Sequence, residues 1–125
     1  MALGKQAKTL TETQIKLVLT HLTTTRDPIR NQVMFLLSVD AGLRAKEIAS
    51  ITWSMVTTSD GSVGDVIRLE DAASKGKSGG VIFISKRLRH HLVILGQTNR
   101  MTGSIITSRS GKPMSAQVVT NWFWT

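Results

Sequence analysis

The chain contains no tyrosine and no cysteine. Two of the usual covalent nucleophiles are therefore absent, and without thiols there are no disulfides and no thiolate metal sites. Acids are missing from the second half: all eight Asp and Glu lie at or before Asp71. Residues 72–125 thus carry Lys75, Lys77, Lys86, Arg87, Arg89, Arg100, Arg109 and Lys112 unopposed, and they supply the whole formal charge of +8. No apolar run approaches the roughly 18 residues of a membrane span. The leader Met-Ala-Leu-Gly-Lys-Gln-Ala-Lys has two lysines but no apolar stretch behind them, unlike a secretory signal. A cytoplasmic chain fits these absences, and the lack of Cys agrees with that compartment. A one-signed field attracts a polyanion, and DNA or RNA is the commonest one a basic domain meets. A basic surface that serves solubility alone has the same composition. At 125 residues the chain is one domain's worth, read as a flexible leader over 1–8 and a domain over 9–125.

Thr11 with Gln14 three residues on has the form of a capping box, and Ile15, Leu17, Val18, Leu19 and Leu22 give the first helix an apolar face. That helix should stop in Thr23-Thr24-Thr25, whose β-branched side chains continue helices poorly. Asp27-Pro28 should restart it, with Asp27 accepting free amide hydrogens and Pro28 in the first turn. Val33 to Leu37 and Val39 are apolar nearly all round, so this second helix should be the most buried, with Gly42 ending it in a left-handed conformation. A third helix is expected from about Leu43 to Ile51, with Ile48 and Ile51 inward and Trp53 and Met55 following as core. The period then changes. Ser59-Asp60-Gly61 and Gly64-Asp65 are turn chemistry, and Val66–Leu69 and Val81–Ile84 read as the strands of a hairpin. Ser85 caps a helix through Leu95, Ile105-Ile106 is a brief extended piece, Arg109-Ser-Gly-Lys112 is a turn, and Ser115 starts a helix over Ala116–Trp124. The order helices, small sheet, helices predicts a mostly helical α+β domain with a small antiparallel hairpin.

Three positions invite chemistry. Arg44, one step past the Gly-led turn, joins a fixed charge and a planar five-donor fork to the amides of a helix start, which suits the non-bridging oxygens of a phosphodiester. Glu47, three residues on, shares its face and can hold the guanidinium; an ordinary surface ion pair has the same spacing. Lys75, in Ala73-Ser-Lys-Gly-Lys-Ser-Gly-Gly80, can carry an ammonium to a leaving oxygen as a general acid, and Lys77 is an alternative occupant of that role. A solvated hairpin tip would look no different. His90 and His91 are adjacent, so they stand about 100° apart on a helix, wrong for joint chelation, and they read as surface or groove residues rather than a metal site.

Leu36-Leu-Ser-Val-Asp-Ala-Gly-Leu-Arg44-Ala-Lys-Glu47-Ile-Ala-Ser-Ile-Thr-Trp53, the hairpin Lys75-Gly76-Lys77 ahead of Val81–Ile84, and Ile105-Ile106-Thr-Ser-Arg-Ser-Gly-Lys-Pro-Met114 together resemble the catalytic domain of the tyrosine recombinase (phage integrase) family. The resemblance covers about residues 9–125. It implies that Arg44 contacts a scissile phosphate of double-stranded DNA, that Lys75 protonates the leaving 5′ oxygen, and that Glu47 supports Arg44. It implies a basic DNA-binding face, for which Lys77, Lys86, Arg87 and Arg89 are the candidates, and a bacterial or phage origin. It implies no metal, nucleotide or other cofactor. The family's second motif, His-x-x-Arg followed by the nucleophilic Tyr, has no counterpart: Leu88-Arg89-His90 echoes it, but position 86 is Lys and follows the hairpin too soon. The expectation is therefore a partial catalytic domain that does not cleave DNA by itself, with an apolar end at Trp122, Phe123 and Trp124 that either packs inward or promotes self-association. A rival reading is a DNA-binding integrase remnant without catalysis, with a regulatory role or none.

Overall fold

The computed structural model describes residues 10–69, 80–98, 100–108 and 110–124. Among them five helices and one two-stranded antiparallel sheet form the expected α+β, mostly helical domain. Helix α1 spans Glu12–Leu22, α2 Pro28–Val39, α3 Ala45–Ser50, α4 Lys86–Thr98 and α5 Ala116–Trp124; the strands are β1, Val66–Arg68, and β2, Val81–Phe83.

Helix α1 starts where a reciprocal pair of side chains satisfies its free amides. Thr11 Oγ1 accepts from the Gln14 amide at 3.1 Å while Gln14 Oε1 accepts from the Thr11 amide at 2.8 Å. It stops in the threonine run for a reason beyond propensity. The hydroxyls of Thr23, Thr24 and Thr25 donate to the carbonyls of Thr20, His21 and Leu22 at 2.6–2.7 Å, taking the last acceptors of the helix.

Helix α2 is the centre of the molecule. Every residue from Asn31 to Leu37 is buried, so α2 must be covered on several sides; α1, α3 and α4 all pack on it. The two polar residues in that run are satisfied: Asn31 Nδ2 donates to the Arg26 carbonyl at 2.6 Å, and Gln32 Nε2 donates to the Leu19 carbonyl at 3.0 Å, tying α1 to α2. The N-terminus of α2 differs from expectation. Asp27 lies in the left-handed region (φ 55°, ψ 55°) and makes no side-chain cap; its carboxylate faces Arg30 at 3.8 Å instead. The entry loop is braced from inside by Asn31, which also donates to Thr25 Oγ1 at 2.9 Å.

At the other end of α2, Gly42 takes φ +73° and the Leu43 amide folds back onto the Leu37 carbonyl at 3.0 Å. Leu43 is thereby spent on closing α2, which is why α3 begins at Ala45 rather than at Leu43. It ends early as well, because Ile51 turns extended (φ −67°, ψ 136°) and its carbonyl accepts from the Ile105 amide at 3.1 Å. Residues 51–53 run beside 103–105 through an antiparallel bridge, Thr52 to Ser104, and Ile51, Trp53, Ile105 and Ile106 are all buried there.

The hairpin pairs Val66 with Phe83, Ile67 with Ile82 and Arg68 with Val81. Each strand is one residue shorter than expected, although the Leu69 amide still reaches the Gly80 carbonyl and the Ile84 amide the Asp65 carbonyl, both at 2.8 Å. Ile67 faces the core while Val81 and Phe83 stand outward, 61% and 80% exposed. Ser85 caps α4, accepting from the Leu88 amide at 3.2 Å, and α4 runs past the expected Leu95 to Thr98. Ser115 caps α5 in the same way through the Val118 amide, and α5 packs mainly on α3. Phe123 lies in the core, edge-on to Trp122 with ring centroids 4.9 Å apart, so the expected apolar end packs inward at least there. Among the described residues no helix is long and apolar enough to cross a membrane.

A Cβ built on Gly42 meets nothing within 4 Å, so its positive φ alone opposes substitution. Gly42→Ala should lower stability by about 1 kcal/mol, the cost of a left-handed L-residue, read as a shift in urea midpoint at unchanged slope.

Candidate functional site

The turn from Asp40 to Arg44 joins the most buried helix to α3, and its residues face three different ways. Leu43 is buried, Gly42 supplies the reversal, and Arg44 stands exposed just ahead of the first residue of α3. Glu47 meets Arg44 at the backbone and not at the guanidinium. Its Oε1 accepts from the Arg44 backbone amide at 2.9 Å. The carboxylate therefore fixes the main chain under Arg44 and leaves the side chain alone. Among the described residues no ion pair involves the Arg44 guanidinium.

Asp40, four residues earlier, is not among the candidates, yet it sits in a polar cluster that joins three helices. Arg87 Nε donates to Asp40 Oδ2 at 2.6 Å and Arg87 Nη2 to Asp40 Oδ1 at 2.5 Å, a two-pronged pair, and Ser85 Oγ donates to Oδ2 at 2.6 Å. Arg87 Nη1 also reaches Glu12 at the start of α1. The Asp40 side chain is only 9% exposed. Burial pushes its carboxyl up, but the hydrogen bonds from Arg87 and Ser85 and the charge of Arg87 outweigh this and hold it below the usual carboxylate value. The same bonds push the Arg87 guanidinium up, so it stays charged throughout. Glu12, Asp40, Ser85, Lys86 and Arg87 together line a shallow recess where α1, the end of α2 and the start of α4 meet.

The other candidates divide. Lys86 is exposed on the first turn of α4. Arg87 is committed to Asp40 and Glu12, so its charge is largely neutralised within the molecule. Arg89 donates to the Val63 carbonyl at 3.2 Å and lies 3.8 Å from Asp65, with about half of its side chain (49%) exposed. His91 Nδ1 bonds the Arg87 carbonyl at 2.7 Å and stacks edge-on to His90; among the described residues no cluster of His, Cys, Asp or Glu suits a metal. Lys75 and Lys77 lie outside the described residues.

Arg68 was also missed. From β1 its Nη2 donates to the carbonyls of Ser54 and Thr57 at 3.1 and 2.7 Å, fastening the hairpin to the short 3₁₀ turn, Trp53–Met55, that follows α3. No local pattern announces either contact, because Arg68 and Arg87 meet partners 11 to 75 residues away.

Residues 8–124 match the model of the phage integrase family. Compared with curated proteins and with solved structures, the chain has no match.

The depressed Asp40 carboxyl sets a pH dependence. A carboxyl held low in the folded state adds stability that is complete above its unfolded pKa and fades as pH falls through the folded value. Asp40→Asn should therefore cost about 2 kcal/mol at neutral pH, as for hydrogen bonds to a charged group, and the gap to the unmodified chain should narrow below about pH 4. Thermal unfolding of both proteins between neutral pH and pH 3 measures it; a gap that is constant over that range would contradict the assignment.

Proposed function

Because the chain belongs to the phage integrase family, we propose that it binds double-stranded DNA and presents Arg44 to a backbone phosphate of the strand to be cut. The observation that carries this reading is the state of Arg44: exposed, free of any ion pair among the described residues, and fixed at its main chain by Glu47. An exposed guanidinium without an internal counter-charge is available to an external anion, and its planar fork matches two non-bridging phosphate oxygens. The acid-free second half supports a polyanionic partner.

On this reading residues 9–125 form part of an integrase catalytic domain. Arg44 neutralises charge that develops on phosphorus oxygens during strand exchange. Lys75, or Lys77 in its place, gives a proton to the departing 5′ oxygen. Lys86 and the outward part of Arg89 add non-specific backbone contacts. Arg87 is better assigned to holding the fold than to meeting DNA, since Asp40 and Glu12 occupy it. The 125 residues contain no tyrosine, so the hydroxyl that would form a 3′-phosphotyrosyl link is not among them. This chain should form no covalent adduct on a nicked suicide substrate. A longer protein that includes the downstream reading frame and a tyrosine should form one, and Arg44→Ala should abolish it.

Binding itself tests the role of Arg44 in the chain as it stands. Fluorescence anisotropy with a short duplex should show affinity falling steeply with salt. Arg44→Ala should weaken binding about threefold to tenfold at low salt and reduce the slope of log K against log[salt] by about 1. Unchanged affinity and slope would favour a basic remnant that binds without using this arginine.

A further inference from the structure

Asp40 lies four residues before the phosphate-binding candidate. A free carboxylate so close in sequence to Arg44 is the obvious competitor for its guanidinium. The structure removes that competition. Both Asp40 oxygens are taken, Oδ1 by Arg87 and Oδ2 by Arg87 and Ser85, and the neighbouring carboxylate of Glu47 is engaged by the Arg44 amide. We infer that Asp40, with Arg87, is a positioning residue for Arg44: the pair anchors the turn that carries Arg44 and keeps it unpaired for phosphate. This rests on the reading of Arg44 as a phosphate contact.

The anchoring follows from connectivity. Ser85 and Arg87 come directly after β2 and open α4, whose first residue is Lys86. Their grip on Asp40 therefore ties the end of α2 to the end of the hairpin, while Glu12 extends the same cluster to α1. From Asp40 onward little freedom remains. The Gly42 amide bonds the Ser38 carbonyl at 3.1 Å, the Leu43 amide bonds the Leu37 carbonyl at 3.0 Å, Leu43 is buried, and Glu47 fixes the Arg44 amide. A backbone held at both ends sets where the Arg44 side chain begins. Phosphate contacts demand such placement, because the cost of ordering a long side chain falls when its root is already fixed.

The sign of the expected effect separates this from ordinary electrostatics. Deleting a carboxylate from a DNA-binding protein, and releasing Arg87 from its partner, both raise positive charge and should strengthen binding. The inference demands the opposite for Asp40→Asn.

The test is anisotropy with a short duplex across salt concentrations, using the unmodified chain, Arg44→Ala, Asp40→Asn and the double variant, at a temperature where circular dichroism shows each folded. Asp40→Asn should weaken binding about threefold and lower the salt slope by up to about 1, the share of one phosphate contact. In the Arg44→Ala background the same change should weaken nothing. Simple loss of folded protein would lower apparent affinity equally at every salt concentration and leave the slope intact, so slope separates misplacement from instability. Ser85→Ala, which removes one bond to Asp40 together with the α4 cap and spares the ion pair, covers the case in which Asp40→Asn does not fold: it should give a smaller loss of the same pattern, salt slope included. Unchanged or tighter binding by both variants while Arg44→Ala weakens it would overturn the inference alone, as would an equal loss in both backgrounds. An Arg44→Ala chain that binds like the unmodified one would overturn the phosphate reading and this inference with it.

Discussion

Burial of α2 is the constraint on which the rest depends. A helix with seven consecutive buried residues cannot stand at a surface, so its neighbours must wrap it, and its ends are the only places where polar chemistry can emerge. At one end Asn31 braces the entry loop through Thr25 and Arg26, and Arg30 reaches the distant Thr107 carbonyl. At the other, Asp40 meets the start of α4. The exposed Arg44 is what the chain presents once that second end has been closed by Gly42 and Leu43.

Local signals in the sequence are legible because their physics is local. Thr11 with Gln14, Ser85 and Ser115 each cap a helix through atoms within three residues, and Gly42 reverses the chain by its own freedom of φ. Both ends of α3 moved through contacts no short window contains. Helix α3 loses Leu43 to the closure of α2 and loses Ile51 to the segment around Ile105. Asp27 has the residue type of a cap, but its backbone is left-handed and the loop's polar groups are met by Asn31, four positions later.

The site shows the same division at finer grain. The three-residue spacing of Arg44 and Glu47 revealed that they touch, yet spacing cannot say which atom of an arginine a carboxylate will take, and it took the amide. Arg87 was legible as one more positive charge in a basic run. Its engagement with Asp40 across 47 residues turns it from a surface charge into a structural tie. Asp40 was invisible for the complementary reason, being an acid in an apolar helix-ending motif whose partner lies beyond the hairpin.

Trp53, buried to 2% exposure directly after the helix that Arg44 precedes, gives the molecule an optical property. With no tyrosine in the chain, ultraviolet emission comes from three tryptophans alone, uncontaminated by phenol transfer. The Trp53 indole is shielded from water, so its emission should lie to the blue of an exposed indole, and it is nine residues from Arg44 along the chain. A rearrangement that opened Trp53 to water would move its share of the emission toward the red, an intrinsic signal for the segment that follows α3.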